Sequence, residues 1–201
     1  VLFCISAGNY CDTINIGLTQ QQFAALSDGE KISATVKAIS NSLTSRRLLS
    51  PAEAMNAITV GAAHADDSGN AYPQFGQRVD VLPSQTLFSP ATRLGFGFNR
   101  SIKPDILMPG GRQLYNAPMQ DSSTLYSVDN SIIAPGQKVA LDSKKQGVLN
   151  SEAFWRGTSN ATALATRGAV RLYDMLDRLR NEEGEDIPET LMSVLMKTLL
   201  V

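Results

Sequence analysis

The residues best suited to chemistry are Gly157-Thr158-Ser159, at the mouth of a predicted helix. Behind them Ala161, Ala165, Ala169, Leu172, Tyr173, Leu176 and Leu179 recur at helical spacing, so one face stays apolar as far as Leu179. A serine at such a helix start is near free backbone N–H groups and the positive end of the helix dipole. Both favour an anion forming beside the serine oxygen, which acyl transfer requires. The same residues also suit a plain helix cap by Thr158 or Ser159, and the tripeptide alone does not separate the two readings.

Three apolar runs would have to position that serine. Residues 1–7 are continuously apolar up to Ser6-Ala7 and predict a fully buried strand of a parallel sheet, ended by Gly8-Asn9. Ala57–Ala63 predicts a second core strand, preceded by the one-turn helix start Ser50-Pro51-Ala52-Glu53. Lys103-Pro104-Asp105 leads a third, Ile106–Met108, closed by Pro109-Gly110. In open α/β sheets, ligands and reacting groups gather at the carboxyl ends of such strands.

Taken in order, Ser6-Ala7-Gly8-Asn9, Ile58-Thr59-Val60-Gly61-Ala62, Lys103-Pro104-Asp105 through Pro109-Gly110, and Gly157-Thr158-Ser159 resemble the subtilisin-like serine peptidases, the subtilases. The resemblance runs from residue 1 to about 180 and corresponds to the C-terminal half of that catalytic domain. It implies an α/β fold, a partial three-layer parallel-sheet sandwich. It implies Ser159 as nucleophile of a Ser-His-Asp endopeptidase. It further implies Asn9 as an oxyanion-hole donor together with the Ser159 N–H, and Ser6, Ala7, Gly8, Gly157 and Thr158 as substrate-binding residues. No cofactor or metal is implied. Asn160, Ala163 and Leu164 depart from the family's Met, Pro and His after the serine, and Arg167 replaces a small residue. These departures motivate a second reading, a catalytically dead pseudo-peptidase that binds peptides.

Two stretches are longer than the family pattern. Residues 12–50 predict a helical insertion: a short helix over Gln20–Leu26 capped by Thr19, then a longer one with Ile32, Val36, Ile39 and Leu43 on its inner face. Arg46-Arg47 reads as charges at that helix's C-terminal end. Residues 111–155 predict a β-hairpin insertion with strands over Ser123–Val128, Ser131–Ala134 and Lys138–Leu141. Trp155 reads as a packed side chain, and Trp155-Arg156 as ordering the start of the serine helix.

His64 is the chain's one histidine, and it lacks the His-Gly-Thr context of a subtilase base; it reads as a surface or capping residue. Asp66-Asp67-Ser68-Gly69-Asn70 lacks the alternating ligands of a calcium loop and reads as a solvated turn. Asn181 to Asp186 is an acidic turn. Pro188-Glu189 then opens a last helix whose apolar positions are Leu191, Val194, Leu195, Leu199 and Leu200.

The chain starts in a predicted strand and stops in a predicted helix, which suggests a piece of a longer protein whose remainder carries the catalytic Asp and His. The expected partners are therefore that remainder and a peptide or protein substrate. A partial sheet also presents an edge that can pair with a second copy. A net charge of −1 gives no reason to expect nucleic acid or an anionic membrane as partner. No apolar run approaches the ~20 residues that span a bilayer. Cys4 and Cys11 are too few for a disulfide framework, and they point to a reducing, cytoplasmic setting, with Cys4 buried in its strand.

Overall fold

Short apolar runs separated by Gly, Pro and Ser become short strands, and one long alanine-rich run becomes the dominant helix. The computed structural model describes residues 1–68, 77–84, 86–120, 122–143, 146–182 and 187–201. In chain order the first part gives β1 (Cys4–Ser6), β2 (Ile14–Asn15), α1 (Gln20–Ala24), α2 (Asp28–Asn41) and β3 (Ile58–Ala63). Then follow β4 (Arg78–Val79), β5 (Gly95–Phe96), β6 (Ile102–Lys103), β7 (Ile106–Pro109), β8 (Tyr115–Asn116) and β9 (Leu125–Val128). The last part gives β10 (Gln137–Ala140), β11 (Glu152–Trp155), α3 (Thr158–Glu182) and α4 (Met192–Leu200).

The three predicted core strands form one parallel sheet, ordered β1-β3-β7. Helix α3 packs across all three, and α4 packs on α3. The contact is made by Ile58, Val60 and Ala62 against Ala161 and Ala165, all buried. Alanines on the helix let it approach the sheet closely, and each buried Ile or Val contributes roughly 1.5–3 kcal/mol. The predicted face of α3 is the observed one: Ala161, Ala165, Ala169 and Leu176 are buried, while Tyr173 is partly exposed. Lys103 and Asp105 pair at 2.6 Å, and the same carboxylate oxygen accepts the Thr59 N–H at 2.7 Å, which ties β7 to β3.

β1 is shorter and wetter than the apolar run predicts. Cys4, Ile5 and Ser6 are half-buried, and Phe3 is 63% exposed. Among the described residues β1 pairs on one side only, with β3, so an edge strand replaces the expected interior one.

A second unit holds the helical and hairpin segments. An antiparallel sheet ordered β2-β9-β8-β4 packs with α1 and α2 around Phe23, Ile14, Ile39, Val81, Tyr115 and Tyr126. Thr19 caps α1 as predicted, through a reciprocal box with Gln22, and Ser27 does the same for α2 with Glu30. The inner face of α2 is rotated from the predicted one. Thr35, Ala38 and Ile39 are buried, whereas Val36 and Leu43 are exposed. Thr35 tolerates burial because its hydroxyl donates to the Val81 carbonyl at 2.5 Å, a partner that apolar periodicity does not register.

Two of the predicted strands form, as β9 and β10, but they do not pair with each other: β10 pairs antiparallel with β11, which the sequence pattern does not show, and Ser131–Ala134 is a bent segment, not a strand. α4 buries Met192 and Met196, with the predicted Leu195 and Leu200 packed beside them, and the predicted Leu191, Val194 and Leu199 are exposed. Residues 69–70 of the Asp66–Asn70 turn and 183–186 of the acidic turn lie outside the described residues.

Candidate active site at the head of the long helix

β1 ends at Ser6 and α3 begins at Thr158, and a chain of hydrogen bonds joins them. The Oδ1 of Asn9 accepts from the Thr158 N–H at 2.9 Å and from the Thr158 hydroxyl at 3.1 Å. A backbone N–H can only donate, so the atom facing it is the amide oxygen, and the Asn9 side chain is held in one orientation. Because Thr158 Oγ1 donates to Asn9, the Ser6 hydroxyl 2.7 Å away donates to Thr158. Ser6 in turn accepts the Gly8 N–H at 3.3 Å. Three of the predicted site residues are thus one polar cluster, with its hydroxyls committed to holding Asn9.

Gly157 is required here by its conformation and by space. Its φ of +137° suits glycine alone, and a Cβ would lie 2.7 Å from Asn9 Nδ2. The Asn9 amide nitrogen therefore lies against the Gly157 backbone, and among the described residues neither of its hydrogens is donated. Ser159 follows in the first turn of α3 and is exposed. First-turn N–H groups have no partner within the helix, so the serine lies where backbone donors and the helix dipole converge. Ala7 is fully buried, and a Cβ on Gly8 (φ +94°) would meet Leu49 and the Arg93 stem at 3.0–3.1 Å.

Beside Asn9 and Gly157 opens a cavity of about 360 Å³, lined also by Tyr10, Cys11, Phe154 and Trp155. Trp155 is 52% exposed at its rim, not packed as predicted. The strand it belongs to pairs on one side with β10, and the ring is left to the cavity. Arg156, two residues before α3, is bonded to the 131–135 segment. It donates to the carbonyls of Pro135 at 2.7 Å, Ser131 at 2.6 Å and Ile133. Burial pulls its pKa below the ordinary arginine value. These bonds help to explain why 131–134 is no strand: the Ser131 and Ile133 carbonyls face Arg156 and the Ala134 carbonyl faces Arg78, while the Ile132 carbonyl accepts the Phe154 N–H at 2.8 Å.

The side chains of His64, Asp66 and Arg46, expected at the surface, are buried, and so is that of Asp129. His64 is fully buried, with Nε2 2.9 Å from Asp80 Oδ1, and it follows β3 as a packed residue rather than a capping one. Asp66 accepts the Arg112 N–H at 2.8 Å and the Ser68 N–H at 2.9 Å, so this part of the turn is not solvated. Burial alone would raise its pKa; the Ser68 and Arg112 hydrogen bonds outweigh that and hold it below the ordinary carboxylate value. Asp129, paired with Arg78 at 2.8 Å and bonded by Ser131, is lowered in the same way against its burial. Arg46 leaves the end of α2 for the interior, where its guanidinium covers the Tyr10 ring at 3.9 Å. The sequence pattern places Arg46 at a solvated helix end and gives no role to Arg93. The only signal was a cationic residue in a Gly/Pro/Ser-rich loop near a motif, which is also what a solvated loop looks like.

No curated protein and no solved structure matches this chain. The family pattern of the subtilases, peptidase S8, matches it over residues 1–201. Together with the parallel sheet and the helix that starts at Thr158, the match establishes that the chain belongs to the subtilase family of serine peptidases.

Proposed function

We propose that this chain is the C-terminal part of a subtilase catalytic domain, with Ser159 as nucleophile and Asn9 as oxyanion donor. The observation that carries this reading is the Asn9 amide. Thr158 fixes its oxygen, which leaves its nitrogen as a preorganised donor beside Gly157 and the first turn of α3. In the reaction Ser159 Oγ attacks the scissile carbonyl and passes its proton to a histidine base oriented by an aspartate. The carbonyl oxygen becomes an oxyanion, bonded by Asn9 Nδ2 and the Ser159 N–H. Collapse expels the amine, which takes the proton from the histidine, and water then hydrolyses the acyl-serine.

His64 is buried against Asp80, so the base and its aspartate come from chain outside these 201 residues. A serine without a base is a poor nucleophile, and the 201-residue chain alone is expected to be inactive. Residues 12–50 and 111–155 are read as insertions beside the site. The half-exposed β1 edge supports self-association of the isolated chain, and a strictly monomeric sedimentation profile at high concentration would remove that expectation.

Fluorophosphonate labelling tests the function. The protein containing this chain with its His and Asp should label, Ser159→Ala should not, and the 201-residue chain should stay unlabelled. Absence of labelling in the folded protein would replace the peptidase reading with a peptide-binding pseudo-peptidase. Asn9→Ala should lower turnover by about 10²–10³-fold, a figure that belongs to subtilisin itself.

A further inference from the structure

The Gly8–Tyr10 turn is fastened from behind by two arginines that neither the fold nor the chemistry above explains. Arg93 Nε donates to the Asn9 carbonyl at 2.9 Å. Its Nη1 donates to the carbonyls of Ser45 at 3.2 Å and Arg47 at 3.0 Å. Its backbone N–H donates to the Gly8 carbonyl at 3.1 Å, and its stem lies over Gly8. Arg46 comes from the same 42–47 turn and covers the Tyr10 ring, with Nε on Ser42 Oγ at 2.8 Å and Nη1 on the Pro90 carbonyl at 2.5 Å. The Leu94 N–H returns to the Arg46 carbonyl at 3.1 Å, and the Tyr10 N–H donates to the Ala91 carbonyl at 2.7 Å.

Neither arginine has a carboxylate within ion-pair distance among the described residues. Arg93 spends its side-chain donors on three backbone carbonyls, and Arg46 divides its own between the Pro90 carbonyl and the Ser42 hydroxyl. A guanidinium is suited to this, since its planar fork can bridge carbonyls from separate segments where an ammonium acts as a point charge. The bridged segments are the Gly8–Tyr10 turn, the stretch around Pro90–Leu94, and the turn that ends α2.

We infer that Arg93 is a positioning residue for Asn9, and that through Arg93 and Arg46 the α2 layer holds the oxyanion turn in place. The inference rests on the reading of Asn9 given above. The helical segment 12–50 then has a mechanical role: its C-terminal turn is the anchor to which the Asn9 backbone is tied. Thr158 fixes the side chain of Asn9 from the front, and Arg93 fixes its main chain from behind.

The test is amide hydrogen exchange at Thr158, whose N–H is protected by Asn9 Oδ1, with the Ile58 N–H, bonded to the Phe3 carbonyl at 2.8 Å, as control. Arg93→Ala should speed exchange at Thr158 at least tenfold and leave Ile58 unchanged. Arg93→Lys, which keeps charge and stem but cannot bridge the carbonyls, should speed it several-fold. Wild-type exchange at Thr158 in either folded variant would overturn the inference, and so would a parallel rise at Ile58, which would make Arg93 a general stabilising residue.

A kinetic cycle on the complete enzyme separates this inference from the reading beneath it. Arg93→Ala should lower kcat about tenfold with KM little changed, and should cost nothing further in an Asn9→Ala background. A full Arg93 loss in that background would overturn the positioning role. If Asn9→Ala leaves kcat unchanged, the oxyanion reading fails, and the exchange result still decides whether Arg93 positions Asn9.

Discussion

The molecule has two apolar centres built on opposite principles. Under α3 the contact is made of alanines on the helix and Ile58, Val60 and Ala62 on the sheet. In the second unit α1 and α2 meet an antiparallel sheet across Phe23, Tyr115 and Tyr126, with Phe23 and Tyr126 in a tilted ring contact at 5.6 Å. Small residues bring backbones together and leave little room for error. Large ones fill a wider gap and carry more apolar area each. The first centre therefore sets where Ser159 stands relative to Asn9, and the second supplies stability to the layer that supports Asn9 from behind.

The largest effect should come from hollowing the aromatic centre. Phe23→Ala should destabilise by about 3–5 kcal/mol, read from urea unfolding, because the fully buried ring leaves a cavity. If the second unit is the stability reserve, the helix head keeps its geometry in the folded fraction. The reverse perturbation is smaller in energy and larger in chemistry. Ala165→Leu should cost about 1–3 kcal/mol by overpacking. It should also push α3 off the sheet and lower fluorophosphonate labelling of the complete enzyme by more than Phe23→Ala does. Equal loss of labelling in the two variants would erase the distinction between the centres.

Thr19→Ala removes the cap of α1 and should cost about 1 kcal/mol, with labelling unaffected. The smallest effect is a pH dependence confined to the acid limb. Asp66, beside the parallel sheet, and Asp129, in the antiparallel unit, both have folded pKa values below the ordinary one. Each therefore adds stability that is complete above the ordinary value of about 3.9 and is lost as pH falls through the lower folded value. Asp66→Asn and Asp129→Asn should each flatten that acid limb, measured as the urea midpoint against pH. An unchanged limb in either variant would show that its centre does not depend on the carboxylate.

The parts of this structure that sequence could reveal are those written locally. The three parallel strands, the cap Thr19, and the buried stripe of α3 each follow from residues within a few positions of one another. The failures share a different cause. Thr35 is buried by a bond to a carbonyl 46 residues away, Arg46 by one 44 residues away, and His64 by an aspartate 16 residues on. In each case a polar group is paired through a tertiary contact that leaves no mark on local hydropathy. In α4 the methionines Met192 and Met196 are the buried residues, with the predicted Leu195 and Leu200 packed beside them. The cluster of Ser6, Asn9 and Thr158 was legible only as separated motifs, and the hydrogen bonds that join them are tertiary.

Trp155 is the chain's single tryptophan, half-exposed at the rim of the cavity shared with Asn9 and Gly157. All indole emission from these 201 residues therefore arises at one place, a few residues from the serine. An apolar side chain that enters the cavity and displaces water from that ring should shift its emission to the blue, with no other tryptophan in these 201 residues to dilute the signal. The chain carries an intrinsic optical reporter of site occupancy, usable in stopped flow without a label and without turnover.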